Sequence, residues 1–374
     1  MTESPARSPG GVTDRAATSD PIASRHRGGA STREETALAV ADRWFARYPA
    51  IALAVVLPLG ALTPLLPVEV GVATFALGTL AVGMAHGAVD HLVPLRASDA
   101  SLRRSIAVVS VVYAVLGGGV VVAFFTAPVV AFVGFIALTW LHWGQGDVAA
   151  LVVAGVEHLQ TPATRVLTLV VRGGLPMGVP LLAHPSEYRV VTEWVIGLFV
   201  ADAAAAVDPL FVPATRIAVG ASMAGATLVS IGLGYRQVRA GASRRGWLRD
   251  VGETATLWAW FLLAAPVFAV GVYFAAWHAL RHVGRLALVD GAATAALADG
   301  DVRGALRRFA RDAAPLTLGG FLVVGGVAIA VPSGVAAPGD VLGVSLVAIA
   351  AMTLPHVAVV AWLDGRQRVW QSMR

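Results

Sequence analysis

The chain has 374 residues, 57% apolar and 14% charged, with a net charge of +5, whereas a soluble domain carries about 25% charged residues. The mean hydropathy is +0.72 and the pI about 10.3, but the arginines sit in short stretches between apolar runs. The basic balance therefore marks membrane topology, and with no basic patch interleaved with aromatics the sequence points to no nucleic-acid partner. Cysteine is absent, which excludes disulfides and thiolate chemistry; lysine is absent too, which excludes Schiff-base formation by the protein itself.

Residues 1–40 are rich in Ser, Thr, Arg, Asp and Gly and lack an apolar core, so they read as a disordered cytoplasmic tail. Residues 41–374 then read as one integral membrane domain. A spanning helix needs roughly 20 mostly apolar residues. Such runs occur at 48–66, 69–92, 105–126, 128–151, 164–183, 213–235, 254–277, 315–332 and 341–363, with a short interfacial helix expected over 186–202. The fold class expected is all-α, a polytopic transmembrane bundle of eight to ten spans in the cell membrane.

Orientation follows from the arginines. Arg25, Arg27, Arg33, Arg43 and Arg47 place the N-terminus in the cytoplasm; Arg96, Arg103 and Arg104, then Arg236, Arg239, Arg244, Arg245 and Arg249, mark later inside loops. A single crossing at 254–277 would put Arg303, Arg307, Arg308 and Arg311 outside, against the rule. Either that region breaks it, or 251–290 holds two passes, the second carrying Trp277 to Arg285.

Ionisable groups within apolar runs are costly and usually functional. The run ending Gly83-Met84-Ala85-His86-Gly87-Ala88-Val89-Asp90-His91 puts His86 and Asp90 on one helix face, where the carboxylate can bond the far nitrogen of a metal-bound imidazole. His91 lies about 140° further round and points elsewhere. Trp140-Leu141-His142-Trp143-Gly144-Gln145-Gly146-Asp147 places a histidine between two tryptophans, with Asp147 near the helix end. In Trp277-His278-Ala279-Leu280-Arg281-His282, the two histidines at i and i+4 can share one ion. His356, after Pro355 in the last span, lies at a similar depth; His158 and His184 sit near span ends. Each motif has a bland alternative, as a helix cap, an interfacial belt residue or a charged turn.

An all-imidazole site of His86, His142, His278 and His282 suits Fe, Cu, Zn or Ni; His278 and His282 with Asp90 or Asp147 would form a two-histidine, one-carboxylate site. Both arrangements suit oxygen chemistry on a lipid-phase substrate. His86-Gly-Ala-Val-Asp90-His91, Leu141-His142-Trp143-Gly144 with Asp147, Arg172-Gly-Gly-Leu-Pro176 running to His184-Pro185, and Trp277-His278 with Arg281-His282 resemble the bacteriorhodopsin-related-protein-like (Brp/Blh) β-carotene dioxygenases over about 70 to 363. That resemblance implies cleavage of β-carotene at its central 15,15′ double bond by O₂ to two all-trans-retinal. It also implies Fe(II) on His86, His142, His278 and His282; Asp90, Asp147, His91 and His356 are expected to support the site from their positions in the sequence. Membrane lipid is then the medium, and an opsin a candidate recipient of the retinal. The rival readings are a di-iron lipid desaturase or hydroxylase, disfavoured by the lack of any His-His pair, and a transporter or ion-relay bundle.

Overall fold

The structure, a computed structural model, describes residues 21–371. Among these the chain is all-helical, with no strand. Seven helices are long and apolar enough to cross a membrane: Thr32–Leu65, Leu102–Thr126, Pro128–Val153, Pro162–Ala183, Pro213–Arg239, Val302–Ala330 and Pro338–Arg366. The expected interfacial helix is observed as Pro185–Gly197.

Of the stretch read as a tail, residues 1–20 lie outside the described residues, whereas Pro21–Asp42 is helical. Ala37 and Ala41 are buried in a cluster with Phe45, Ala293 and Leu297. Alanine loses no side-chain freedom on ordering, and its apolar partners here lie some 250 residues along the chain, beyond the reach of a local composition argument.

The run 254–277 is not one helix. Arg244–Leu263 ends at Ala264 and Ala265, both extended, and a new helix starts at Pro266. Proline has no N–H to continue a helix and biases the preceding residue toward extended backbone. Contacts fix the direction on either side of the break. Arg249 pairs with Asp42 at 2.8 Å, and Trp260 packs on Gly60. The Ala265 N–H donates to the Thr63 hydroxyl at 2.8 Å. Arg244–Leu263 therefore runs alongside Thr32–Leu65 in the same sense. Beyond the break, Gly71 abuts Val267 and Phe268, Gly78 abuts Gly271 and Ala275, and Gly284 abuts Phe45. The chain has thus come back to the level of Phe45, and Val302–Ala330 starts from that side. Its arginines precede the apolar stretch on the same helix, so the helix begins well before 315.

Glycine sets the closest crossing. At Gly173 any Cβ would overlap the Trp140 carbonyl, and at Gly144 the Leu169 carbonyl. Pro128–Val153 and Pro162–Ala183 can approach this closely only because these positions lack side chains. The crossing lies within two residues of His142 and fixes its depth.

Candidate metal centre

Five imidazoles from five points of the sequence converge in the bundle. His86 stands on the short helix Met84–Gly87, immediately after a π-helical turn at Thr79–Gly83. His278 lies within a second π turn, Phe274–Ala279, and His282 on the helix that follows, Leu280–Ala287. His142 comes from Pro128–Val153 and His356 from Pro338–Arg366, next to its internal Pro355. A π turn inserts one residue into the helical register and is frequent at functional sites; here it re-aims every side chain after it. All five histidines are at most 9% exposed.

His142 and His278 approach with their Nε2 atoms 3.1 Å apart. Ring centroids of His86 lie 5.3 Å from His278, 5.7 Å from His282 and 5.1 Å from His356. His142 and His356 are 4.7 Å apart, His282 and His356 5.0 Å. One ring nitrogen each from His86, His142 and His356 lies within 4.8 Å of the others. With metal–nitrogen bonds of roughly 2.1 Å, two ligands at right angles sit about 3.0 Å apart and two opposite ones about 4.2 Å. The 3.1 Å approach of His142 and His278 matches two such ligands at right angles, and the 4.8 Å bound on His86, His142 and His356 lies just beyond the opposed-ligand distance. The chemistry is that of a metal site: His142 Nδ1, both nitrogens of His282 and Nε2 of His356 are buried without a hydrogen-bond partner, a costly state that an ion relieves at the one nitrogen of each ring that carries a lone pair.

Aromatic rings close the cluster. Phe274 stands edge-on to His86 at 5.3 Å, and Trp143 tilts against His278 at 5.7 Å. Behind the helix of His278 and His282 lies a buried ionic layer. Trp277, Arg281 and Arg285 recur every four residues on its far face. Trp277 Nε1 donates to Asp147 at 2.9 Å, and the Arg281 guanidinium lies 3.9 Å over the Trp277 ring. Arg281 also pairs with Asp147 at 3.2 Å and Glu253 at 2.9 Å. Arg172 reaches Asp147 at 3.3 Å, Asp250 at 2.7 Å and Glu253 at 3.1 Å. Arg285 is held by Asp364 at 2.6 Å. The histidine helix is thereby clamped from behind in one rotation.

A cavity of about 580 Å³ with almost wholly apolar walls reaches the cluster, and His86, His142 and His356 form part of its wall. It extends from Pro180, Tyr188 and Pro266 to Ile106, Leu316 and Val323. These last three belong to two helices facing out of the bundle and are 43%, 42% and 38% exposed.

The sequence profile described as beta-carotene 15,15′-dioxygenase matches residues 77–364. The chain belongs to the β-carotene 15,15′-dioxygenase family. A probable beta-carotene 15,15′-dioxygenase Blh of Halobacterium salinarum is 44% identical over 291 residues, 77% of this chain and 82% of the relative. A probable beta-carotene 15,15′-dioxygenase Brp of the same species is 32% identical over 320 residues, 81% and 86% of the two chains. No solved structure is significantly similar to it.

In this member of the dioxygenase family, all four histidines expected as ligands lie in the cluster, and His356 lies there with them. The two carboxylates are placed differently from the sequence expectation. Asp90 does not bond His86, whose Nδ1 is turned to the Gly83 carbonyl; it accepts from His356 Nδ1 at 2.7 Å and from the Tyr113 hydroxyl at 2.7 Å. The helix of His86 ends at Gly87, and the turn through Ala88 and Val89 into the 3₁₀ turn Asp90–Leu92 carries Asp90 off the face of His86. Asp147 has no imidazole partner and serves the ionic layer. His91 lines the cavity and does not stack on the other imidazoles. His158 bonds Asp250 at 3.0 Å, and His184 the Leu262 carbonyl at 3.0 Å. Tyr113, Asp250 and Glu253 escaped the sequence reading; the only available signal was two carboxylates, Asp250 and Glu253, at the edge of an apolar run.

Proposed function

We propose that this protein cleaves β-carotene at its central 15,15′ double bond with O₂, giving two molecules of all-trans-retinal. The stoichiometry closes without a reductant: the C15=C15′ and O=O bonds break, and each half of the hydrocarbon leaves with one oxygen as an aldehyde. The observation that carries this reading is a cluster of buried imidazoles, with ring nitrogens of His142, His282 and His356 left without a hydrogen-bond partner, at the wall of an apolar cavity that reaches lipid-facing helices, in a chain of this family.

Fe(II) held by His86, His142, His278 and His282 would supply the redox centre at which O₂ reacts, a role imidazole-bound iron with open positions can fill. The chain's own residues provide the rest. A C40 hydrocarbon partitions into the bilayer, so a cavity opening beside Ile106, Leu316 and Val323 admits it without crossing water. Apolar walls give a symmetrical polyene nothing to bond along its length, and the positioning of its midpoint falls to shape. Trp143 and Phe274 pack on the imidazoles and keep bulk water from the reacting carbons. Without a lysine the protein cannot capture the aldehyde product as a Schiff base, so retinal is free to leave through the lipid toward an opsin.

The same reading gives ten crossings, the seven long helices plus 68–87, 244–263 and 266–287, with both termini in the cytoplasm. Arginine placement supports it: once 251–290 makes two passes, Arg303, Arg307, Arg308 and Arg311 fall on the side of Arg249.

The test is expression in β-carotene-accumulating cells. The pigment should bleach and retinal should appear in a 2:1 ratio to substrate lost, and His278→Ala or His282→Ala should abolish both. Intact pigment beside folded, iron-loaded protein would refute the assignment.

A further inference from the structure

Resting on the reading of an iron site above, we propose that His356 is itself a ligand of the ion, held for that role by Asp90 and Tyr113. The four histidines implied by family resemblance do not include it. The three whose ring nitrogens converge within 4.8 Å do: His86, His142 and His356.

The hydrogen bonds around His356 decide its tautomer. Asp90 Oδ2 accepts from His356 Nδ1 at 2.7 Å, and the Tyr113 hydroxyl donates to the same oxygen at 2.7 Å. A carboxylate that only accepts forces the proton onto Nδ1. Nε2 is then a bare lone pair, and it is buried with no partner. An imidazole with one nitrogen bonded to a carboxylate and the other bare is the usual form of a metal-bound histidine, with the carboxylate fixing its orientation and strengthening its donation.

The packing is built around this arrangement. Asp90 is 1% exposed and His356 4%. Gly87 leaves the space beside the ring; a Cβ there would stand 3.2 Å from His356 Nδ1, against the bond to Asp90. Tyr113 opens a π turn, Tyr113–Gly117, and that turn's glycine packs on the Ala351 carbonyl. Pro355 has no N–H to bond that carbonyl, so the two features fit each other one turn from His356. The Asp90–His356 couple links residues 266 apart, so it ties the second and last passes of the bundle to one site. His356 would then hold the ion together with His86, His142, His278 and His282, and its side of the cluster faces the apolar cavity.

The experiment uses purified full-length protein in detergent. Fe(II) per chain, Fe(II) affinity by competition with a ferrous chelator, and the electron paramagnetic resonance spectrum of the nitric oxide complex are compared for wild type, His356→Ala, His356→Gly, Asp90→Asn and Tyr113→Phe. Asp90→Asn, close to isosteric, should weaken iron binding about 10–100-fold and alter the nitrosyl spectrum, with Tyr113→Phe at the low end of that range. His356→Ala should weaken it further, and millimolar imidazole should restore iron and spectrum to His356→Gly, which a packing role would not predict. Iron affinity and nitrosyl spectra unchanged in His356→Ala and Asp90→Asn, with His278→Ala still losing iron, would overturn this proposal and leave the function standing. Wild-type protein that holds no iron would overturn both.

Discussion

Replacing Arg172 by methionine removes the cation at the centre of the buried ionic layer while keeping an unbranched chain of similar length. Arg172 is fully buried and pairs with Asp147, Asp250 and Glu253 at 3.3, 2.7 and 3.1 Å. Three contacts do not mean three stranded charges. Arg281 still bridges Asp147 and Glu253 in the variant, and Arg249 still holds Glu253 at 2.9 Å. Only Asp250 loses its sole arginine, keeping His158 at 3.0 Å. One uncompensated buried charge costs about 3–5 kcal/mol, so that is the expected loss, in place of a sum over contacts. Adding Asp250→Asn removes the stranded charge, and the double variant should recover part of the loss, a coupling of roughly 0.5–3 kcal/mol. Denaturation in detergent, read by tryptophan fluorescence, measures both. Arg33→Ala is the control, since the Arg33–Asp299 pair is 59% exposed at both ends and exposed pairs contribute about 0–1 kcal/mol. A loss below about 1 kcal/mol for Arg172→Met, well short of the cost of a stranded buried charge, would refute the closed layer and with it the rigid backing of His278 and His282.

Other outcomes follow from single positions. Gly319 lines the cavity and a Cβ there meets nothing within 4 Å; Gly319→Phe should therefore fold normally yet reduce retinal formation on the order of 10²-fold by misplacing the polyene. Unchanged turnover would mean that the substrate does not use this part of the cavity. Gly173→Ala drives a methyl into the Trp140 carbonyl and should destabilise by about 1–3 kcal/mol by overpacking the helix crossing, measured by the same denaturation. Stripping iron with a chelator should lower stability, by about 2.7 kcal/mol if free iron had stood at 100 times its Kd; a thermal midpoint indifferent to iron would argue against a bound ion.

Apolar runs and histidine motifs are local properties, and the sequence by itself determined them: each run's hydropathy is a sum over neighbours, and the four expected ligands lie in short segments recognisable one at a time. The sequence also raised, through Arg303 to Arg311, the conflict that a two-pass 251–290 removes, without deciding it. Tertiary structure decided whose partner Asp90 is. Sequence spacing paired it with His86, four residues away, because an ideal helix has 3.6 residues per turn. The helix stops at Gly87 and the turn through Ala88 and Val89 into a 3₁₀ turn breaks that periodicity, so the carboxylate instead meets an imidazole 266 residues distant. The ionic layer was illegible for the same reason: Arg172, Asp250 and Arg281 each look like an isolated charge until packing of four helices brings Arg172 and Arg281 together on Asp147 and Arg172 onto Asp250. Local pattern fixes which face of one helix is apolar; which helices share a centre depends on their rotation and depth, and those are set by glycine crossings, π turns and buried charge pairs that only the assembled bundle contains.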